Sequence, residues 1–360
     1  MKHFAVLWVF IFLASLIAWR MLSTPVASPV FKDVVDTPTP ATFITKTNQF
    51  TIFVPYWGIS STSPKVEAKY SDIVYFGIAA DSSGVETSED GYKKIGMFNK
   101  LVSPNQQKLL AVRMLDSNEN SKVLADVRIQ REIVSKTIAI AKQNDFTGVV
   151  MDMEMQSLPF NSIVEQIDKF YDMFYKQTQQ HNLGFSTLMY GDLFYRPHPF
   201  DLTYLVKDVN KVYIMAYDLH NASGQPGPNF PLSTANTDNT DYNLEKMIGD
   251  YKLIVPLRKI AVVFGMFGYD WTVDAQGQTT GRANPLSDLQ IQQEIIQLCP
   301  QLACALTRDS RSSETKINYT DKQNQRHVVW FEDAQSAQKK FAYLRNQGIS
   351  NFGYWAYSYF

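Results

Sequence analysis

From residue 49 onward, short apolar runs alternate with longer stretches in which apolar residues recur every three or four positions. A short apolar run bounded by turn formers marks a buried strand, and the three-to-four spacing marks a helix with one face on a core. On that basis strands are predicted over 50–56, 71–79, 108–115, 148–154, 184–190, 209–217, 260–268 and 353–357, and helices over 129–143, 163–181, 244–251 and 334–347. Eight strands with helices between several of them predict an α/β fold, a (β/α)8 TIM barrel. A doubly wound open sheet is the main competitor, but no glycine-rich phosphate loop follows the first strand. The connection over 283–327 is too long for an ordinary loop and predicts a small lobe inserted between strand seven and the last helix; a disordered excursion is the plainer alternative.

A barrel of this kind carries its chemistry at the carboxyl ends of the strands. The pattern puts Tyr56 and Trp57 there after strand one, Asp152 and Glu154 on strand four, and Tyr190 and Asp192 on strand five. Strand six contributes Tyr217, Asp218 and His220, strand seven Tyr269 and Trp271, and strand eight Trp355. Asp152 and Glu154 are two residues apart, so on a strand both point to one face, with Val150 behind them and Met151 and Met153 on the other face. Burying two carboxylates side by side opposes ionisation through like charge and desolvation, which leaves a protonated acid next to an ionised one. That is equipment for acid/base work. The bland alternative is that both acids end the strand in solvent. Carboxylates and aromatic rings on one rim describe a sugar cleft, where ring faces pack on sugars and acids handle the glycosidic oxygen. His198, His220 and His327 form no ligand cluster in the sequence, and Asp81 and Asp116 fit a place in the cleft or a helix N-cap equally.

Composition narrows the class. The 360 residues carry 34 basic and 35 acidic side chains, a net charge of −1, which gives no electrostatic reason to expect a nucleic-acid partner. Lys2 and His3 precede an uncharged run from Phe4 to Trp19, then Arg20 and a Pro/Ser/Thr-rich stretch. Residues 1–21 are therefore expected to be a signal peptide or signal-anchor helix, 22–47 a tether, and 48–360 the barrel, exported and either membrane-anchored or secreted. A helix buried in the domain is the competing reading of the apolar run. Outside the cytoplasm Cys299 and Cys304 could close a small disulfide loop; two free thiols remain equally open.

Several motifs coincide with one family. The stretch Thr147 to Glu154 resembles the Asp-Gly-x-Asp-x-Asp-x-Glu signature of glycoside hydrolase family 18, the chitinase-like barrels. Met215-Ala-Tyr-Asp218 resembles its Met-x-Tyr-Asp motif, and Trp355 its strand-eight tryptophan. The bacterial branch acting on spore-cortex and cell-wall peptidoglycan is more similar still, through Tyr217-Asp-Leu-His-Asn-Ala-Ser-Gly-Gln-Pro-Gly-Pro228, Phe267-Gly-Tyr-Asp-Trp271 and His327-Val-Val-Trp-Phe-Glu-Asp333. The resemblance implies a retaining, substrate-assisted glycosidase with no metal and no organic cofactor, acting on an N-acetylglucosamine-containing polysaccharide; the chain is expected to be a monomer that touches the membrane through its N-terminal segment only. It implies Glu154 as general acid, Asp152 as the group orienting the N-acetyl arm, and Tyr217 as its hydrogen-bond donor. Asp218 would support the cleft and Trp355 would floor the subsite; Tyr56, Trp57, Tyr190, Tyr269 and Trp271 are expected as further substrate contacts from their places at the strand ends. Two departures stand out: Thr147 replaces the first acid of the signature and Val150 the second. The loss at 150 makes a catalytically weak or lectin-like barrel the alternative.

Overall fold

The computed structural model describes residues 48–234 and 242–360. The expected leader over 1–21 and the whole of the 22–47 tether fall outside the described residues. Among the described residues no helix is long and apolar enough to cross a membrane.

Eight parallel strands close into a barrel: Gln49–Pro55, Asp72–Asp81, Gln107–Met114, Gly148–Met153, Gly184–Tyr190, Val212–Ala216, Ile260–Gly265 and Asn351–Trp355. Each pairs with its neighbour in that order, and the first pairs with both the second and the eighth, so no edge is left. They are called strands one to eight below. The strands alternate as their sequence predicts. Phe53, Val74, Phe76, Ala111, Val150, Leu188, Tyr213, Ala261 and Val263 point inward and fill the interior as one apolar cluster. Burial of each such side chain contributes roughly 1.5–3 kcal/mol, so the filled interior holds the strands in register. The outward face of the wall packs on helices. Val127–Gln143 buries Ile133, Val134, Ile138 and Ala141, and Asn161–Gln180 buries Ile167, Phe170, Tyr171 and Phe174. Asp116 is an N-cap and not a cleft residue: its side chain accepts from the backbone of Asn118 and Glu119 at the start of Ser117–Ala125.

Strand seven stops at Gly265, three residues short of the predicted end, and Phe267–Val273 leaves the barrel to join a five-stranded antiparallel sheet. The other members of that sheet are Asn284–Ser287, Ala305–Arg308, Thr315–Thr320 and Arg326–Phe331, so the inserted lobe extends beyond the expected 283–327 on both sides. Glycine permits the crossing. A Cβ at Gly268 would stand 2.0 Å from the carbonyl oxygen of Trp330. Cys299 and Cys304 are joined by a disulfide within the lobe.

The lobe is fastened to the barrel by buried charge. Lys340, on the helix Ala334–Asn346, donates to Glu314 at 2.8 Å and to Glu332, and all three side chains are about fully buried. Ser336 donates to the other oxygen of Glu332 at 2.6 Å. Glu314 also accepts from the backbone N–H groups of Asn229 and Phe230, at 2.5 and 2.8 Å. One cluster thus ties the lobe, the last helix and the long connection after strand six.

Candidate active site

Strand four delivers the two acids. Val150 lies in the barrel interior at zero exposure, so Asp152, two residues on, faces inward at the mouth, where it is 3% exposed. Glu154 follows the strand and is half-buried. Its backbone is locked: the N–H donates to the Met114 carbonyl at 2.8 Å and its own carbonyl accepts from Asn120 Nδ2 at 2.8 Å. Asn120 Nδ2 also donates to Met114 O, at 2.7 Å, stitching strand three to strand four. The next backbone N–H, of Met155, donates to the Tyr190 hydroxyl at 3.0 Å. The acids do not end the strand in open solvent.

Strand six supplies the facing side of the mouth. Tyr217 packs against the top of the interior cluster. Asp218 adopts a left-handed φ of 62°, its N–H donates to Asn229 Oδ1 at 2.7 Å, and its carboxylate accepts from the Tyr269 hydroxyl at 2.5 Å. Asn229 in turn donates to the carbonyls of Gly265 and Phe267, where strand seven hands over to the lobe. Asp218 is therefore set by the join between barrel and lobe.

Burial dominates the electrostatics of all three acids. Burial raises the pKa of Asp152 well above the carboxylate range, the charge of Glu154 adds to this, and the Arg113 guanidinium opposes both. Glu154 is raised by burial and then by the charge of Asp218. Asp218 is raised by burial, against which the hydrogen bond from Tyr269 acts. Burial first, then the charges of Asp152, Asp218 and Glu154, keep the Tyr217 phenol protonated. A phenol in the field of three carboxylates is a hydrogen-bond donor and not a base.

Aromatic rings form the other wall. Trp355, whose peptide bond to Ala356 is cis, meets Phe76 edge-on at 4.6 Å and lies 6.0 Å from Phe53 and 6.1 Å from Trp57. Trp57 is 46% exposed and stands edge-on to Tyr56, with ring centres 5.1 Å apart. These rings, Tyr217 and the acids converge on one mouth. Tyr190 borders it, stacked on His198 at 4.1 Å. A concavity of about 600 Å³ opens alongside, between the connection after strand six and the lobe, with Arg196, His220 and Trp330 among its walls.

Two expected contacts are placed differently. Trp271 has zero exposure and its Nε1 donates to the Gly224 carbonyl at 2.9 Å, so it cements the lobe to the connection after strand six and offers no face to a ligand. Tyr269 is 8% exposed, with its hydroxyl committed to Asp218. Both lie on Phe267–Val273, whose alternation turns Phe267, Tyr269, Trp271 and Val273 into a shared apolar seam. Asp192 is not a free acid either: Arg196 holds it at 2.7 Å and His198 at 3.2 Å. Sequence reasoning missed Arg113, Phe76, Asn120 and Asn229. Only Arg113 left a trace, as a charge at an inward position of an otherwise apolar run. Among the described residues no group of three or more His, Cys, Asp or Glu side chains could hold a metal ion.

The departures from the acidic signature have unequal weight. Thr147 is exposed at the far end of the barrel, roughly 20 Å from Glu154 at strand rise, with its hydroxyl on the Lys108 carbonyl. Val150 is directly under Asp152.

Comparison with known proteins gives the frame. The cortical fragment-lytic enzyme of Bacillus subtilis is 30% identical over 147 residues, covering 41% of this chain and 31% of that protein. The chain thus spans about a third of the length of such curated relatives. The spore cortex-lytic enzyme SleL of Bacillus cereus superposes with a TM-score of 0.68 at 18% identity, covering 87% of this chain and 71% of that one. Human YKL-39, described as a pseudo-chitinase with retained chitooligosaccharide binding properties, superposes with a TM-score of 0.70 at 15% identity, covering 86% and 92%. These two likenesses show the barrel fold. The family model for glycosyl hydrolases family 18 matches residues 49–359, nearly the whole described chain, and the protein belongs to that family.

Proposed function

We propose that the protein is a glycoside hydrolase that cleaves the β-1,4 bond next to N-acetylglucosamine in peptidoglycan or a chitin-like polymer, by a substrate-assisted retaining mechanism. The observation that carries this reading is the convergence of Asp152, Glu154, Tyr217 and Asp218 at one buried mouth beside the Trp355 wall. The B. subtilis relative is named a cortical fragment-lytic enzyme, which favours a cortex polymer as the leading substrate. Glu154, whose proton affinity is raised by burial and then by the charge of Asp218, gives its proton to the leaving glycosidic oxygen. The acetamido carbonyl oxygen of the substrate attacks the anomeric carbon as that bond breaks, forming a cyclic cation. Asp152 accepts from the acetamido N–H and faces the growing positive charge, and Tyr217 donates to the acetamido oxygen. Glu154, now ionised, takes a proton from the water that opens the ring, and the configuration is restored.

Digestion of purified peptidoglycan and of chitin oligomers, followed by mass spectrometry and anomer analysis by proton NMR, tests this. New N-acetylglucosamine reducing ends in the β configuration are expected. Products of inverted configuration, or equal turnover of polymers lacking the N-acetyl group, would refute the mechanism.

A second reading is a carbohydrate-binding barrel with weak or no turnover. It is favoured by Val150, which leaves Asp152 without a carboxylate beneath it. Binding of the same polymers with no reducing-end release over long incubation would select it.

We further propose that the chain acts as a monomer outside the cytoplasm, held by its N-terminal apolar run or released after that run is removed. The disulfide between Cys299 and Cys304 supports an oxidising compartment. External protease should degrade the protein on intact cells, or the protein should be found in the medium. Full protection until lysis would reject export.

A further inference from the structure

Arg113 is the side chain with no place in the scheme above. It stands on strand three directly opposite Asp152 in the parallel register, at an inward position two residues after Ala111 of the interior cluster. Its guanidinium is 11% exposed and lies over the Tyr56 ring at 5.1 Å and the Phe76 ring at 5.5 Å. Glu89, itself 49% exposed, touches one end at 3.6 Å. The Nε atom is buried with no hydrogen-bond partner. A guanidinium confined by two rings keeps its orientation because its planar fork has few ways to rotate. Its placement costs desolvation, which a solvated surface arginine would not incur.

The groups that bear on Asp152 come from every element around it: Glu154 on its own strand, Arg113 from strand three, Tyr190 from strand five, Tyr217 from the end of strand six, and Tyr171 from the helix behind the wall. Arg113 is the cation among them. Directly below Asp152 lies Val150, within the interior cluster.

We propose that Arg113 is a positioning residue for Asp152, supplying from the neighbouring strand a fixed positive charge that opposes protonation of Asp152 where it faces the substrate's acetamido group. Two acids with like charge and shared burial compete for one proton. The cation opposite Asp152 weighs on that competition, against the burial that raises the pKa of Asp152. Glu89 tempers the effect by drawing on the other end of the same guanidinium. This inference rests on the proposed glycosidase chemistry for its kinetic consequence, but its electrostatic content is independent of turnover.

The test compares Arg113→Met, Arg113→Lys and Glu89→Gln in the full chain. With Arg113→Met, Asp152 takes up a proton more readily, so the acidic limb of the kcat profile should move to higher pH, by about one pH unit or more. At neutral pH kcat should fall about tenfold or more with KM little changed, and Arg113→Lys should recover part of both. Glu89→Gln, a change at a half-exposed site, should move the limb the other way. Independently of activity, the infrared carboxyl band that disappears in Asp152→Asn should titrate at higher pH in Arg113→Met than in the parent. An unmoved limb in Arg113→Met and Glu89→Gln, a pure KM effect, or an unmoved infrared titration would overturn the proposal. If the parent turns over no N-acetylglucosamine polymer, the functional reading fails while the infrared titration still decides the role of Arg113.

Discussion

Replacing Glu154 by Gln is expected to lower glycosidic hydrolysis by about 10²–10⁴-fold, the usual contribution of a positioned general acid, while polymer binding stays measurable. The substitution keeps the shape of the side chain and removes only its proton, so the measurement isolates chemistry from architecture. The surroundings of Glu154 support that separation. Its backbone is held by Met114 and Asn120, and the following residue by Tyr190, through main-chain groups that glutamine leaves untouched. Reducing-end release from peptidoglycan and chitin oligomers, together with a pull-down on the insoluble polymers, gives both readouts. Parent-like hydrolysis by Glu154→Gln would sink the mechanism. Loss of binding in step with loss of hydrolysis would show that the residue shapes the cleft instead.

Replacing Lys340 by Met is expected to destabilise the folded protein by roughly 3–5 kcal/mol, because it strands two buried carboxylates. Glu314 and Glu332 have side chains no more than 1% exposed, and Lys340 is their shared cation. Even in the parent, burial and the neighbouring Glu314 push the proton affinity of Glu332 above the ordinary carboxylate range against the pull of Lys340. Without Lys340, Glu332 should be pushed higher still in the folded state alone. A carboxyl whose folded pKa is raised binds more protons folded than unfolded, so stability falls as pH rises from its unfolded pKa through its folded one. The deficit of Lys340→Met should therefore be smallest at acidic pH and grow toward neutrality, as followed by urea denaturation at several pH values. A midpoint equal to the parent's at neutral pH would show that the cluster is not a keystone. Because Glu314 also holds the backbone of Asn229, which sets Asp218, a parallel loss of activity is expected before global unfolding.

Much of this architecture was legible in advance, for a physical reason. Barrel strands are covered on both faces, so their apolar runs are continuous and bounded, and the eight predicted strands coincide with the eight observed to within a few residues. The pair Asp152 and Glu154 was visible because two carboxylates at strand spacing break such a run. What stayed hidden depends on contacts between distant segments. Trp271 has the composition of a cleft residue, and only the departure of Phe267–Val273 into a second sheet reveals that its alternation faces a seam. Glu314, Glu332 and Lys340 are separated by 18 and 8 positions, and nothing local distinguishes them from surface charges. Arg113 near the end of an apolar strand looks like a charge reaching for solvent, and its opposition to Asp152 appears only with the register.

The hydrocarbon filling of the barrel also settles where hydrogen ions can travel. From Asp152 downward the axis is occupied by Val150, Leu188, Phe53 and Val263, while the polar groups at the opposite end, with Lys211 paired to Asp72 at 2.6 Å, sit beyond that plug. The hydroxyl of Tyr213 lies with Thr51 and Asp72 at that opposite end, so the layer formed by Val150, Leu188, Phe53 and Val263 offers no hydroxyl or carboxyl along which a proton could hop. Every proton that Glu154 gives up or regains must therefore pass through the same opening that admits the sugar. A bound polymer covering the mouth would also cover the path by which Glu154 is reprotonated, so release of product and recovery of the proton share one opening.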